Sequence, residues 1–319
     1  MENTKSYELR KIRFASTDGK SRVAGYIFEP RSEIRAIIQI SHGMCEHIMR
    51  YEPLADELCA RGFLVCGHDH IGHGNTAPDK QHLGFTAKGG GVSYLIRDLY
   101  KMTKLIKSEY PNIPVVLLGH SMGSFIARRY IACYGGALRA AIISGTAGPE
   151  SPTGLGKKLA KKIMKRKGEG YRSEFLRKIS MGSYNKKFKR EKCPHSWLTR
   201  DKNVWEKCAC DPLCNYIFTV RGYYDLFELL ESVSRKEWAR SVPRKLPILL
   251  VSGDMDPVGN YGKGVKKVFK SLKRAGVKDV TMRLYYDGRH EMFNETNRIE
   301  VINDTVEWLD QYIGKRKKP

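Results

Sequence analysis

Residues 115–124 read "VVLLGHSMGS". A run of β-branched and apolar residues stops at Gly119, Ser121 follows between two glycines, and an apolar-patterned segment comes next. A strand that turns abruptly into a helix holds the residue at its tip in strained backbone angles. Flanking side chains collide there, so the spacing Gly-x-Ser-x-Gly removes the Cβ atoms that would clash. An elbow made by Gly119, His120 and Gly123 lifts the Ser121 hydroxyl above a sheet. The first amides of the next helix then lie beside a reacting carbonyl. The pentapeptide also suits a crowded turn around a small residue. Whether Ser121 is a nucleophile therefore depends on whether the chain supplies a base, an acid and oxyanion donors.

Working outward, strand and helix signals alternate. "RVAGYIFEP" (22–30), "RAIIQISHG" (35–43) and "FLVCGHD" (63–69) are β-rich runs ending at turn residues. "RYEPLADELCARG" (50–62) and "VSYLIRDLYKMTKLIKSEYP" (92–111) carry apolar groups at helical spacing. The helix "SFIARRYIACYG" (124–135) and the strand "LRAAIISG" (138–145) follow the elbow. The rhythm stops at 146–156 and resumes with "LPILLVSGDMDPVG" (246–259), a helix over 262–276, the strand "VTMRLYY" (280–286) and a helix from Arg298 to Ile313. Continuous apolar strands alternating with helices predict an α/β architecture, with a mostly parallel sheet covered by helices on both faces. Residues 148–243 interrupt it with helical signals and no strand rhythm. The expected organisation is a core first part (1–147), a helical cap inserted between two strands (148–243) and a core second part (244–319).

On such sheets the acid follows the serine and the histidine comes last. "LLVSGDMDPVG" ends one late strand and offers Asp254 and Asp256; "LYYDGRHEMFNE" ends the next and offers His290. All three positions fall at carboxyl ends of strands, the rim where open α/β sheets bind ligands. Imidazole takes the serine proton, and a carboxylate fixes its tautomer and stabilises the imidazolium. Asp256 is preferred, because Asp254 follows Gly253 directly and suits a turn cap. The oxyanion donors expected are the amides of Met122, after the nucleophile, and Met44, in the loop "ISHGMCEH" (40–47).

A chain of 319 residues with 41% hydrophobic and 10% aromatic content is that of a folded protein. No stretch approaches 18 apolar residues, so no span is expected. "MENTKSYELRKIRF" has no apolar core behind a basic end, and eight cysteines then read as reduced thiols of a cytoplasmic protein. The net charge of +23 implies attraction to anionic surfaces. Between residues 148 and 245 there are 24 Lys and Arg against 11 Asp and Glu. There "GLGKKLAKKIMKRKG" (154–168) spaces Leu155, Leu159 and Ile163 four apart among lysines. That stripe is expected to dock on the core, and the charge suits peripheral contact with an anionic membrane face. No nucleic-acid module is recognisable. Cys193, His195, Cys208, Cys210 and Cys214 offer a candidate metal-ligand set, but paired Cys-x2-Cys knuckles are absent and buried thiols are expected. "GKRKKP" at the end reads as a basic tail.

"SHGMCEHIMRY", "GHDHIGHG", "GHSMGS", "SGDMDPVG" and "RHEMFNE", in that order, resemble the signatures of α/β-hydrolases of the monoacylglycerol lipase and lysophospholipase type, including the serine aminopeptidase S33 group. "GSYNKKF", "SWLTRD" and "DPLCNYIFT" resemble cap segments of bacterial members. The resemblance implies Ser121 as nucleophile, His290 as base, Asp256 as acid, a mobile cap, no metal and no organic cofactor. His70 and His73 are expected to shape a turn. Phe218, Tyr223 and Phe227 are expected in the substrate pocket. The function expected is hydrolysis of monoacylglycerol, lysophospholipid or related acyl esters through an acyl-enzyme. An aminopeptidase or thioesterase with the same triad is the alternative, and a non-catalytic ligand-binding protein is the reading from another class. Oligomeric state is not readable from the sequence.

Overall fold

The apolar run before Ser121 forms a central strand of one eight-stranded sheet, and the run after it forms a helix. The computed structural model describes residues 5–149, 153–235 and 237–314, so most of the basic tail lies outside the described residues. Along the chain come β1 (Tyr7–Ala15), β2 (Arg22–Pro30), β3 (Ala36–Ser41), α1 (Glu52–Cys59), β4 (Phe63–His68), α2 (Gly91–Glu109), β5 (Val115–His120), α3 (Met122–Tyr134) and β6 (Ala140–Ser144). The segment after β6 carries α4 (Thr153–Lys167), α5 (Glu174–Met181), α6 (Lys202–Cys210), α7 (Val220–Ser234) and α8 (Glu237–Arg240). The chain then forms β7 (Ile248–Gly253), α9 (Lys263–Arg274), β8 (Val280–Tyr285) and α10 (Arg298–Ile313).

The strand order is β1-β2-β4-β3-β5-β6-β7-β8. β1, β2 and β4 pair antiparallel, and every pair from β4 through β8 is parallel. The order reverses between β3 and β5. A reversal leaves a crevice beyond the carboxyl ends of the two strands, because their connections leave in opposite directions. Ser121 follows β5 and the loop carrying Met44 follows β3, so both open into that crevice.

The central strands are buried on both faces, and their side chains alternate between two cores. Leu117 and Leu250 face a core shared with α2, α3, α7 and α9; Leu118, Leu249 and Val251 face one shared with α1 and α10. The edge strand β1 was not visible in the apolar pattern. Its residues YELRKIRFA alternate charge with partial burial, as an antiparallel edge facing water requires. The lysine-rich α4 lies along α7, another helix of the same segment, rather than on the sheet. Ala160 is buried there while Leu155 stays 56% exposed.

His42, His68, His70 and His73 are fully buried beside the crevice, with the rings of His42 and His70 4.2 Å apart and those of His68 and His70 5.1 Å apart. His42 is held as the neutral Nδ1–H tautomer: Nδ1 donates to the Gly43 carbonyl at 2.8 Å and Nε2 accepts the His70 amide at 3.0 Å. Both ring nitrogens of His68 are buried without a hydrogen-bond partner among the described residues. Burial pushes His68 down to about 3 and His73 down to about 4 from 6.5. An imidazole that resists protonation only when folded gives its full stability above pH 6.5. That stability is lost as pH falls from 6.5 towards the folded value. Stability should therefore drop between pH 6.5 and 4 by up to about 1.4 kcal/mol per pH unit for each such histidine. Urea melts of His68→Leu across that window should give a shallower slope; an unchanged slope would mean that His68 does not contribute.

Candidate active site

Ser121 ends β5 with φ 53° and ψ −121°, a conformation that L-residues rarely hold. Its amide donates to the Ser144 carbonyl of β6 at 3.0 Å, and its carbonyl accepts the Ser124 amide at 2.9 Å and the Ser124 hydroxyl at 2.5 Å. The backbone is thus pinned from both sides. A Cβ on Gly123 would lie 1.9 Å from the Ser41 carbonyl oxygen, and one on Gly119 would lie 2.5 Å from that of Gly123. The two glycines are therefore required by close backbone approach.

His290, in the loop after β8, and Asp256, in the loop after β7, meet in full burial, with Nδ1 3.0 Å from Oδ1. Asp256 Oδ1 also accepts the Val258 amide at 2.8 Å, which fixes the carboxylate. Asp254 makes no such pair: its Oδ1 is buried with no hydrogen-bond partner among the described residues. His290 Nε2 is likewise buried and unpartnered among those residues, which leaves it open to accept a proton. Burial disfavours the imidazolium, but the charge and hydrogen bond of Asp256, with Glu291 and Glu46 behind it, raise His290 above 6.5 overall. The His120 ring lies 4.7 Å from the His290 ring, and the indole of Trp197, from the segment between β6 and β7, covers it at 5.0 Å. His120 itself is pushed down to about 3, mainly by burial, so it stays neutral beside His290.

The loop after β3 brings Gly43 against the elbow, where a Cβ would be 3.0 Å from Ser121 Cβ. Met44 and Met122 both line the cavity that Ser121 and His290 line. A charged network that sequence reasoning missed holds this loop. Glu46 accepts the Gly43 amide through Oε1, and also the Tyr51 hydroxyl at 2.8 Å. Arg50 donates to Glu46 at 2.7 Å and clasps Glu291 with two bonds of 2.9 Å. One buried guanidinium therefore links the loop of Met44 to the residue after His290. Burial opposes the charge on Glu291, but Arg50 holds its carboxyl at about 2. The only sequence signal was a Glu and an Arg four apart, which on any helix reads as a solvated pair.

The cavity has a volume of about 1560 Å³. Its floor carries Ser121, Met122 and His290, and its walls include Leu155, Leu159, Phe227 and Leu230 of the segment between β6 and β7. Phe227 lines this cavity. Phe218 and Tyr223 do not: both are fully buried, with rings 5.8 Å apart, and they join α7 to the core beneath the cavity. An aromatic-rich stretch does not itself say which face of the helix meets the pocket. The cysteine-rich set separates too. Cys210 is exposed, Cys208 and Cys214 are buried in one small cluster, and the His195 amide donates to Cys193 Sγ at 3.5 Å.

A sheet of this order, with a strained serine between its fifth strand and the next helix, is that of an α/β-hydrolase. The chain belongs to the Hydrolase_4 family, described as serine aminopeptidase, S33, whose model matches residues 32–297. It is similar to the monoglyceride lipase of Rattus norvegicus, 30% identical over 94% of this chain and 89% of that protein. The monoacylglycerol lipase of Mycolicibacterium smegmatis is 26% identical over 92% and 95% of the two chains. Among solved structures, a thermostable carboxyl esterase from Bacillus coagulans in complex with glycerol superposes with a TM-score of 0.89 at 31% identity, covering 96% of this chain and 99% of that one.

Replacing Arg50 leaves two buried carboxylates facing each other without a counter-charge. Arg50→Met should cost about 3–5 kcal/mol of stability, read as a lowered urea midpoint. A loss below about 1 kcal/mol would show that the network does not hold the loop.

Proposed function

We propose that this protein is a carboxylic-ester hydrolase acting on monoacylglycerols and related single-chain acyl esters. The carrying observation is that the elbow serine and an Asp-paired imidazole with a free Nε2 line one large cavity with apolar walls. His290 Nε2 takes the Ser121 proton as the hydroxyl oxygen attacks the ester carbonyl. The negative oxygen that forms is stabilised by the amides of Met122 and Met44. The imidazolium, balanced by Asp256, protonates the departing glycerol oxygen and leaves an acyl-serine. Water, deprotonated by the same imidazole, releases the fatty acid. The glycine spacing, the buried pair and the names of the similar proteins support this reading.

The segment 148–243 serves as the cap, holding the acyl chain against Leu159, Phe227 and Leu230. Its outer face presents Leu155, Phe175 and Ile179, each about half exposed, among the lysines of α4. An apolar rim within a basic field suits the surface of an anionic membrane, from which single-chain lipids enter the cavity. No helix among the described residues is long and apolar enough to cross a membrane, so contact would be peripheral, and the proposed location is the cytoplasm.

The test is hydrolysis of a monoacylglycerol chain-length series, with and without anionic vesicles, alongside aminoacyl arylamides and acyl thioesters. Monoacylglycerol turnover should be preferred and should fall on the order of 10⁴-fold or more in Ser121→Ala. Turnover of arylamides or thioesters in preference, or activity surviving the substitution, would overturn the assignment.

Because His290 is raised above 6.5, the acid limb of kcat/KM should lie above that value, activity rising with pH as the base loses its proton. Asp256→Asn removes the raising charge, so the limb should move to lower pH while the plateau falls. A limb that stays in place would mean that another group titrates.

A further inference from the structure

Cys214, buried at 4% exposure, lies beside a histidine and an aspartate at the seam between the sheet domain and the cap. His47 stands in the loop after β3, three residues beyond Met44. Its Nε2 meets Asp211 Oδ2 at 2.8 Å, and both atoms lie within 4.8 Å of Cys214 Sγ. A second thiol lies beside the first: Cys208, at the end of α6, is buried in the same small cluster as Cys214. The spacing Cys208-x2-Asp211-x2-Cys214 follows from the local fold. The Cys214 and Asn215 amides both donate to the Asp211 carbonyl at 2.9 Å, so the chain doubles back after α6. The Leu213 amide occupies Asp211 Oδ1 at 2.8 Å and leaves Oδ2 for the cluster. A simple ion pair across the seam would need His47 and Asp211 alone; it gives no reason for two buried thiols beside it.

We propose that His47 Nε2, Asp211 Oδ2 and Cys214 Sγ, with Cys208 Sγ as fourth ligand, bind a divalent thiophilic cation of the zinc class. Tetrahedral zinc with bonds of 2.0–2.3 Å separates its ligand atoms by about 3.3–3.8 Å. His47 Nε2 and Asp211 Oδ2 are 2.8 Å apart and Cys214 Sγ lies within 4.8 Å of both, so small side-chain rotations reach that spacing. On binding, the proton between His47 and Asp211 and the two thiol protons leave to solvent, so affinity rises with pH. Asp211, with about a third of its side chain exposed, provides access for the ion. Occupancy joins the loop of Met44 to the cap segment 208–214, and so fixes the cap over the cavity. This site is distinct from the chemistry of Ser121 and does not require it.

Cobalt reports the site directly. The reduced, metal-free protein mixed with stoichiometric Co²⁺ should develop a thiolate-to-cobalt charge-transfer band and the strong visible bands of tetrahedral cobalt, which added Zn²⁺ removes. Both should be lost in Cys214→Ser and in His47→Gln, and kept in Cys210→Ser and Cys133→Ser. Competition with a chromophoric chelator should show Zn²⁺ affinity falling about 100-fold or more in Asp211→Asn, a variant without any thiol change whose fold is checked by circular dichroism. Thermal unfolding should move up with Zn²⁺ in the wild type and not in Asp211→Asn. Absence of the cobalt bands in the wild type, their persistence in Cys214→Ser, or their loss in Cys210→Ser would overturn the proposal.

Discussion

The site depends on a side chain that is absent. The backbone at Gly123 passes so close to the end of β3 that a single Cβ would collide with the carbonyl oxygens of Ser41 and His42. That approach presses the start of α3 onto the loop after β3. It brings two loops separated by some eighty residues of sequence into one crevice, and it leaves Ser121 at the apex with backbone angles it would not choose. The parallel sheet supplies the rigidity, since β3 and β5 are neighbours held in register from Ile37–Val115 to Ser41–Gly119. The strain at one residue is offset by hydrogen bonds on either side of it and by burial of the strand beneath.

Electrostatics complete what the backbone begins. A carboxylate and an imidazole share a dry pocket after β7 and β8, where an unpaired charge would be costly. Next to it, Arg50 stands between Glu46 and Glu291 and ties the loop of Met44 to the loop of His290. The segment between β6 and β7 enters the same arrangement. The Glu291 amide donates to the Leu198 carbonyl at 2.7 Å, and Trp197 lies over the His290 ring. The proposed nucleophile, base, acid and oxyanion donors thus come from four loops joined by a few buried polar contacts, and the segment between β6 and β7 is anchored to the loop that carries His290.

The central strands, the serine elbow and the order of acid and histidine were legible because each leaves a local trace: continuous apolar residues, a glycine spacing, an aspartate and a histidine just past a strand. The choice of Asp256 over Asp254 followed from turn position, and the pairing with His290 is its geometric counterpart. Other features leave no such trace. β1 is half polar because it is an edge, and only Tyr7 and Phe14 at its two ends are buried in the cores. Arg50 looks like a surface residue until tertiary packing buries it between two acids. Phe218 and Tyr223 were misplaced because aromatic content marks burial, whereas lining a pocket depends on which way a helix is rotated. The stripe on α4 packs, but against α7, a partner that periodicity does not identify.

The central claim is that the geometry activates one serine among many. Labelling with a fluorophosphonate, followed by mass spectrometry of the digested protein, tests it most directly. A single phosphonyl adduct is expected on the peptide containing Ser121, formed rapidly in the wild type and orders of magnitude more slowly in His290→Ala. An adduct on another residue, or a labelling rate indifferent to His290, would contradict it.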